Sequence, residues 1–258
     1  MKKLIIIAFA AVSLCSCSVL TGINWNSNGL ASAAGKAMTA ASISDEMVVE
    51  LSAQTIAQLD AQNTIDNGAY KRRLDRVMAG VTDIDGMPVN MKVYKTEEIN
   101  AFACGDGSIR VYSGLMDVMD DDELVAIIGH EIGHVHNQDT KKSIKAAYLA
   151  SAARDVVASA GNYGALAAYL LGDIGEAFVS AQYSQQHEYR ADQHGCQFAI
   201  DRGRSPYSMY NALQKLLQLS QDASTSIIAH MFADHPKTEL RAEKMKKMAD
   251  EYVAKSSK

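Results

Sequence analysis

In this 258-residue sequence the residues best spaced for chemistry are His130-Glu131-Ile132-Gly133-His134, two histidines four apart with a glutamate beside the first. Positions i and i+4 of a helix share a face, so both imidazoles can reach one metal ion. Glu131 stands one residue round from the first ligand, where its carboxylate can face a metal-bound water and take its proton. Such a set performs metal-assisted hydrolysis. The flanking Ile127, Ile128, Ile132 and Val135 are apolar, so this helix packs in a core rather than showing two histidines to solvent. Burying two imidazoles and a carboxylate is costly without a partner, and a metal ion supplies one.

A catalytic zinc takes three protein ligands and keeps a fourth position open. His136 follows His130 by six residues and faces elsewhere, which suits a surface residue. The better candidate is Glu188, in Gln186-His187-Glu188-Tyr189-Arg190-Ala191-Asp192. Glu188 and Asp192 again share a face. The first can bind the metal while the second accepts the N–H of a ligating histidine and sets its tautomer. His187 and His194 read as packed or solvent-facing residues, not ligands. Nitrogen and oxygen ligation admits several first-row ions, and one zinc per chain is the expectation.

These side chains need a scaffold. Ser44-Asp45-Glu46 offers a cap and early acids, and Val48, Leu51, Thr55, Ile56 and Leu59 follow at helical spacing. Asn67-Gly68 breaks the run, and residues 70–81 read as a second helical segment. After the Asp85-Gly86-Met87-Pro88 turn, residues 89–94 alternate as a strand, and 108–113 form another beyond Gly105-Asp106-Gly107. Asp120 with Glu123 makes a capping pattern that opens the His130 helix. Residues 145–171 are alanine-rich, interrupted by Arg154, Asp155, Gly161 and Gly164, and read as packed helices rather than a membrane hairpin. Further helices are expected over 175–201, 206–219 and 237–253. The fold class is α+β, mostly helical.

Apolar residues make up 48% and charged ones 21%, the profile of a globular chain. The net charge is −5 and no basic stripe is visible, which argues against a nucleic-acid partner. Lys2 and Lys3 precede an apolar run over 4–14, which is too short to span a bilayer (~20 residues) but suits a secretory signal. Cys17, with small Ser16 before it and Leu14 three residues back, resembles the cysteine of a bacterial lipoprotein signal. Cys15 fits worse, after bulky Leu14. Ser18, in place of an aspartate, favours the outer membrane, and several acyl chains would give stable anchoring. The expected division is a signal peptide over 1–16, a tether over 17–43 and a single domain over 44–258. An ordinary cleaved signal peptide is the competing reading.

The two motifs, with Asn100-Ala101-Phe102 and the run Gly107-Ser108-Ile109-Arg110-Val111-Tyr112-Ser113-Gly114-Leu115-Met116-Asp117, resemble the HtpX and CAAX-prenyl-endopeptidase family of zinc metalloproteases. The resemblance extends over nearly all of the chain after the tether. It implies a gluzincin-like zincin domain with a small sheet, in which strand 108–113 is the exposed edge lining the cleft and an extended substrate adds to it. It implies zinc on His130, His134 and Glu188, with Glu131 as base. His235, in Asp234-His235-Pro236, would stabilise the oxyanion or close the fourth metal position; on its own it reads as a loop histidine. Arg241 matches a family arginine without a physical role to assign. The implied substrates are unfolded or misassembled envelope proteins, with envelope chaperones or proteases as partners, and the transmembrane helices of the HtpX branch are lacking. A periplasmic chaperone or assembly lipoprotein with a latent or structural metal is the alternative, and Glu131 favours the enzyme because a structural site does not need it. Cys104 and Cys196 form either a disulfide beside the metal or two independent buried thiols.

Overall fold

Six alanines between Ala31 and Ala41 outweigh Gly29 and Gly35, and residues expected within the tether form a helix, α1 (Ser27–Ser42). The computed structural model describes residues 27–159, 184–222, 227–229, 231, 235 and 239–257. The expected signal peptide over 1–16, Cys17, residues 17–26 of the tether, the alanine-rich stretch from 160 onward and residues 175–183 of the expected helix lie outside the described residues. The chain forms two compact units. Among the described residues the smaller holds 27–39 and 148–159, where Lys36 donates to Ser151 (2.7 Å) and pairs with Asp155 (2.9 Å). The larger holds 40–147 and the described residues from 184 onward, and everything below concerns it.

Ser44 accepts the Met47 N–H and starts α2 (Asp45–Gln62) as its sequence predicts. Then come β1 (Ile65–Asp66), α3 (Ala69–Val77), the hairpin β2 (Asp83–Ile84) and β3 (Met87–Pro88), β4 (Asn90–Tyr94), β5 (Ala101–Ala103) and β6 (Ser108–Tyr112). Six helical residues, α4 (Ser113–Val118), lead to α5 (Asp121–His136), which Asp120 and Glu123 open with both bonds of a capping box. The remaining helices are α6 (Asp139–Ala158), α7 (Gln185–Asp201), α8 (Ser208–Asp222) and α9 (Glu239–Ser256). Among the described residues no helix is long and apolar enough to cross a membrane.

The four-stranded sheet is mixed, in the order β1-β4-β6-β5, with β4 parallel and β5 antiparallel to β6. This corrects one expectation. The strand over 108–113 is not the edge: β6 is interior and nearly all buried, and the edge beside it is β5. Cys104 N–H bonds Ser108 O and Tyr112 N–H bonds Asn100 O, so residues 100, 102 and 104 turn their main chain to β6. The alternate residues, Ala101 and Ala103, turn theirs away from β6; Ala101 is fully buried and Ala103 partly exposed. Asn100 Oδ1 caps the Ala101 N–H (2.9 Å).

One sheet face buries Val93, Ala101, Ile109 and Val111 in the core that also takes Leu124, Val125 and Ile128 of α5. The other face is fastened to α2 by charge. Arg110, 1% exposed, donates Nε and Nη2 to the two oxygens of Asp60 (2.8 and 3.0 Å), which also accept from Lys92 (2.6 Å) and the Tyr94 hydroxyl (2.7 Å).

Glycine decides how closely α5 and α7 approach. A Cβ on Gly195 would stand 2.4 Å from Ala126 O and 2.8 Å from His130 N, and one on Gly133 would stand 3.1 Å from Ala191 Cα. The two helices therefore cross almost backbone to backbone, which brings Glu188 to the His130 face of α5.

Candidate metal centre

Two helices and the His235 segment bring the four donors together. His130 and His134 come from α5, Glu188 from α7, and His235 follows Met231, whose carbonyl accepts the His235 N–H (2.8 Å). Their ligand atoms lie within 4.8 Å of one another, and all four residues are buried. His130 Nε2 is 3.0 Å from His134 Nε2 and 3.3 Å from His235 Nδ1. Glu188 Oε1 is 3.3 Å from His134 Nε2 and 3.2 Å from His235 Nδ1.

The outer nitrogens explain the inner ones. A carboxylate only accepts, so His130 Nδ1–H donates to Asp192 (2.9 Å) and His134 Nδ1–H donates to Asp139 (3.0 Å). In the neutral rings both Nε2 lone pairs then point into one gap. Two acceptors facing each other at 3.0 Å need a cation between them. Burial pushes His134 down, but the Asp139 bond and the Glu188 and Glu131 carboxylates hold it up at about 9. His235 is likewise raised: burial opposes it, and Glu131 and Glu188 prevail. Burial keeps His130 below its ordinary value against the pull of Asp192. The field in this gap therefore draws positive charge, and the two-nitrogen, one-carboxylate donor set with a fourth imidazole fits a divalent transition metal.

Glu131 belongs to the same space without joining the donors. It is 2% exposed, its Oε1 lacks a hydrogen-bond partner among the described residues, and His235 Nε2 is 3.6 Å away. His136 bonds Asp85 at the surface (2.6 Å), and His194 Nδ1–H donates to Gly129 O (2.8 Å) between α5 and α7. Neither joins the cluster. His187 is not in it either.

Arg241, on α9, now has a physical task. It donates Nε and Nη2 to the two oxygens of Asp192 (2.7 and 2.6 Å), and its Nη1 pairs with Glu188 Oε2 (2.7 Å). One guanidinium thus balances both carboxylates of α7. Burial pushes Asp192 up, but Arg241 and His130 hold it below the usual carboxylate range; Glu188 is also held below, by the surrounding histidines.

Asp139 is the residue that sequence reasoning missed. Fully buried at the start of α6, it holds His134 as Asp192 holds His130, and Arg190 Nη2 lies 3.4 Å from its other oxygen. Its signal was present as an aspartate in the first turn of the next helix, five residues past His134, but it is local to no single helix. Asp139→Asn is expected to keep the fold and weaken metal affinity by ~10–100-fold, because the amide can present either N–H or O to the ring. Metal titration against a chromophoric chelator reads this, and an unchanged affinity would remove Asp139 from the site.

The cysteines do not pair. Cys104 and Cys196 are both free thiols; Cys196 Sγ donates to Pro206 O (3.6 Å). Burial pushes them up to about 12 and about 11, which leaves them protonated and inert.

The sequence that builds this site matches known proteins. The model of peptidase family M48 matches residues 65–249. The chain belongs to peptidase family M48. It is 41% identical over 237 residues to Metalloprotease LoiP of Escherichia coli (strain K12), covering 90% of this chain and 92% of that one. With Metalloprotease YcaL of the same organism it shares 35% identity over 249 residues, 94% of each chain. With a Protease HtpX homolog of Streptococcus pyogenes serotype M28 it shares 30% identity over 203 residues, 60% of this chain and 66% of the relative. The M48 chain is therefore a metallopeptidase, a hydrolase whose substrates are proteins, and M48 metalloproteases bind a metal.

Proposed function

We propose that this M48 chain is a zinc endopeptidase, lipid-anchored at Cys17 to the periplasmic face of the bacterial outer membrane, which degrades unfolded or misassembled envelope proteins. The observation that carries the hydrolytic reading is the buried Glu131 oxygen, without a hydrogen-bond partner among the described residues, beside four convergent donors, since a merely structural site has no use for that carboxylate. His130, His134 and Glu188 would hold the zinc, and Asp192 and Asp139 keep the two imidazoles aimed. Bound zinc would supply Lewis acidity to a water and to the scissile carbonyl. Glu131 takes the proton of that water and delivers it to the leaving amine. His235 donates from its ring to the oxygen on which charge develops, once it has swung clear of the donors. The main chain of Ala103, on the side of β5 turned away from β6, binds an extended substrate as an added strand, a mode that reads few side chains and accepts many sequences.

The position of His235 favours a second reading. With its Nδ1 among the other donors, His235 completes a closed set of four, the arrangement of a latent or structural site. A chaperone or assembly lipoprotein would keep it so. The two readings part in one experiment with the full zinc-loaded chain in detergent micelles. Internal cleavage of casein, stopped by a chelator and restored by zinc, is the expected result; undegraded casein that is held soluble on heating would support the chaperone instead. In cells, Cys17→Ala is expected to move the protein from the outer-membrane fraction to the soluble periplasm. An unchanged distribution would refute the anchor.

A further inference from the structure

Arg241 is buried in the first turn of α9, where its guanidinium meets two buried carboxylates that lie one turn apart on α7. Nε and Nη2 face the two oxygens of Asp192, and Nη1 is left for Glu188 Oε2. We propose that Arg241 is a positioning residue that keeps Glu188 Oε2 off the metal, so that Glu188 offers one oxygen and the centre prefers zinc to manganese. The proposal rests on the zinc site of the endopeptidase reading and is independent of which substrate is cut.

The fork is fixed before it reaches Glu188. Two parallel contacts to one carboxylate hold a guanidinium in plane, which the single ammonium of a lysine cannot imitate. Lys244, one turn further along α9, sets its ammonium 4.3 Å from the ring centre of Tyr189, the neighbour of Glu188. Helix α9 thus meets α7 at two charged points.

The two Glu188 oxygens stand in different surroundings. Oε1 lies 3.3 Å from His134 Nε2 and 3.2 Å from His235 Nδ1, inside the gap between the donors. Oε2 lies 3.7 Å from His130 Nε2, near enough to turn in, and it has no hydrogen bond among the described residues. Its compensation is the Arg241 charge at 2.7 Å. A buried anionic oxygen deprived of that charge turns toward the next cation, which is the metal.

Ligand number then decides the ion. One oxygen beside the histidine nitrogens suits four-coordinate zinc. A second oxygen adds a ligand and suits manganese, which favours oxygen donors and a larger set. Loss of the guanidinium charge strengthens the hold on any divalent ion alike. The ratio of two affinities therefore isolates the effect of the second oxygen.

The full-length chain, freed of metal, is titrated with zinc and with manganese against chromophoric chelators. Arg241→Gln and Arg241→Lys are each expected to lower the zinc-to-manganese affinity ratio by about tenfold or more. Cobalt in place of zinc should give the intense visible absorption of a four-coordinate ion in the parent. Both variants should give the weak absorption of a higher coordination number. An unchanged ratio and an unchanged cobalt spectrum in folded variants overturn the assignment and leave the zinc site standing. A ratio lost in Arg241→Gln but kept in Arg241→Lys also overturns it, because charge and not the fork would then select the ion. Should neither variant fold, the cobalt spectrum of the parent decides: an intense one upholds one-oxygen ligation and a weak one refutes it. A parent chain that binds neither ion refutes the zinc site itself, and this assignment with it.

Discussion

Glu131→Gln is expected to fold as the parent does, to bind the same metal, and to lose a factor of ~10²–10⁴ in kcat. The carboxylate and the amide have the same shape, and the site holds Glu131 without a hydrogen bond to its Oε1 among the described residues, so the exchange breaks little. The amide, however, cannot accept a proton from water at neutral pH. Because the four convergent donors are His130, His134, Glu188 and His235, removal of the Glu131 charge should leave the metal held. Metal content by atomic emission and cleavage of a quenched peptide, measured on one preparation, read the two properties separately. Metal lost together with activity would make Glu131 a ligand and void its assignment as the base.

The second large effect concerns stability. Asp60→Ala is expected to destabilise the protein by about 3–5 kcal/mol, because it strands the Arg110 guanidinium in the protein interior and takes the acceptor from Lys92 and Tyr94. For a domain of this size that lowers Tm by on the order of 10 °C, measurable by calorimetry. Arg110→Met in the Asp60→Ala background should recover part of the loss, since no buried charge is then left unpaired. A double variant no more stable than the single one would show that Arg110 acts through packing. The pH dependence has a definite sign. Burial pushes the Asp60 carboxyl up, but its bonds from Arg110, Lys92 and Tyr94 hold it well below its ordinary 3.8. A depressed carboxylate contributes stability that is complete above the ordinary value and is lost only as pH falls through the folded one. Acid unfolding of the parent above pH 4 must therefore come from other groups.

Much of the site was legible before any tertiary structure. The His130–His134 pair and the Glu188–Asp192 pair are each written within one turn of helix, and so is the capping box of Asp120 and Glu123 that starts α5. The apolar flanks of α5 announced that its histidines are buried, and the family motifs tied the two helices to one metal. Local periodicity carries that kind of information because helix geometry is the same wherever the helix packs.

Other features depend on which segments meet. β5 has three residues, too few for an alternation to register, so the sequence does not reveal the strand that lies beyond β6 as the sheet edge. Asp139 sits on the helix after its histidine and reaches back across a turn in which Gln138 has a positive φ. Arg241 acquires its task only when α9 brings it against α7, 49 residues from Asp192 in sequence. Within the expected tether, the alanines of α1 give it a helix propensity that outweighs its two glycines. Spacing within a helix decided which side chains could share a metal in this chain. Long-range pairing and backbone approach, down to the absent Cβ of Gly195, decided which partners aim those side chains and which strand is left open beside them.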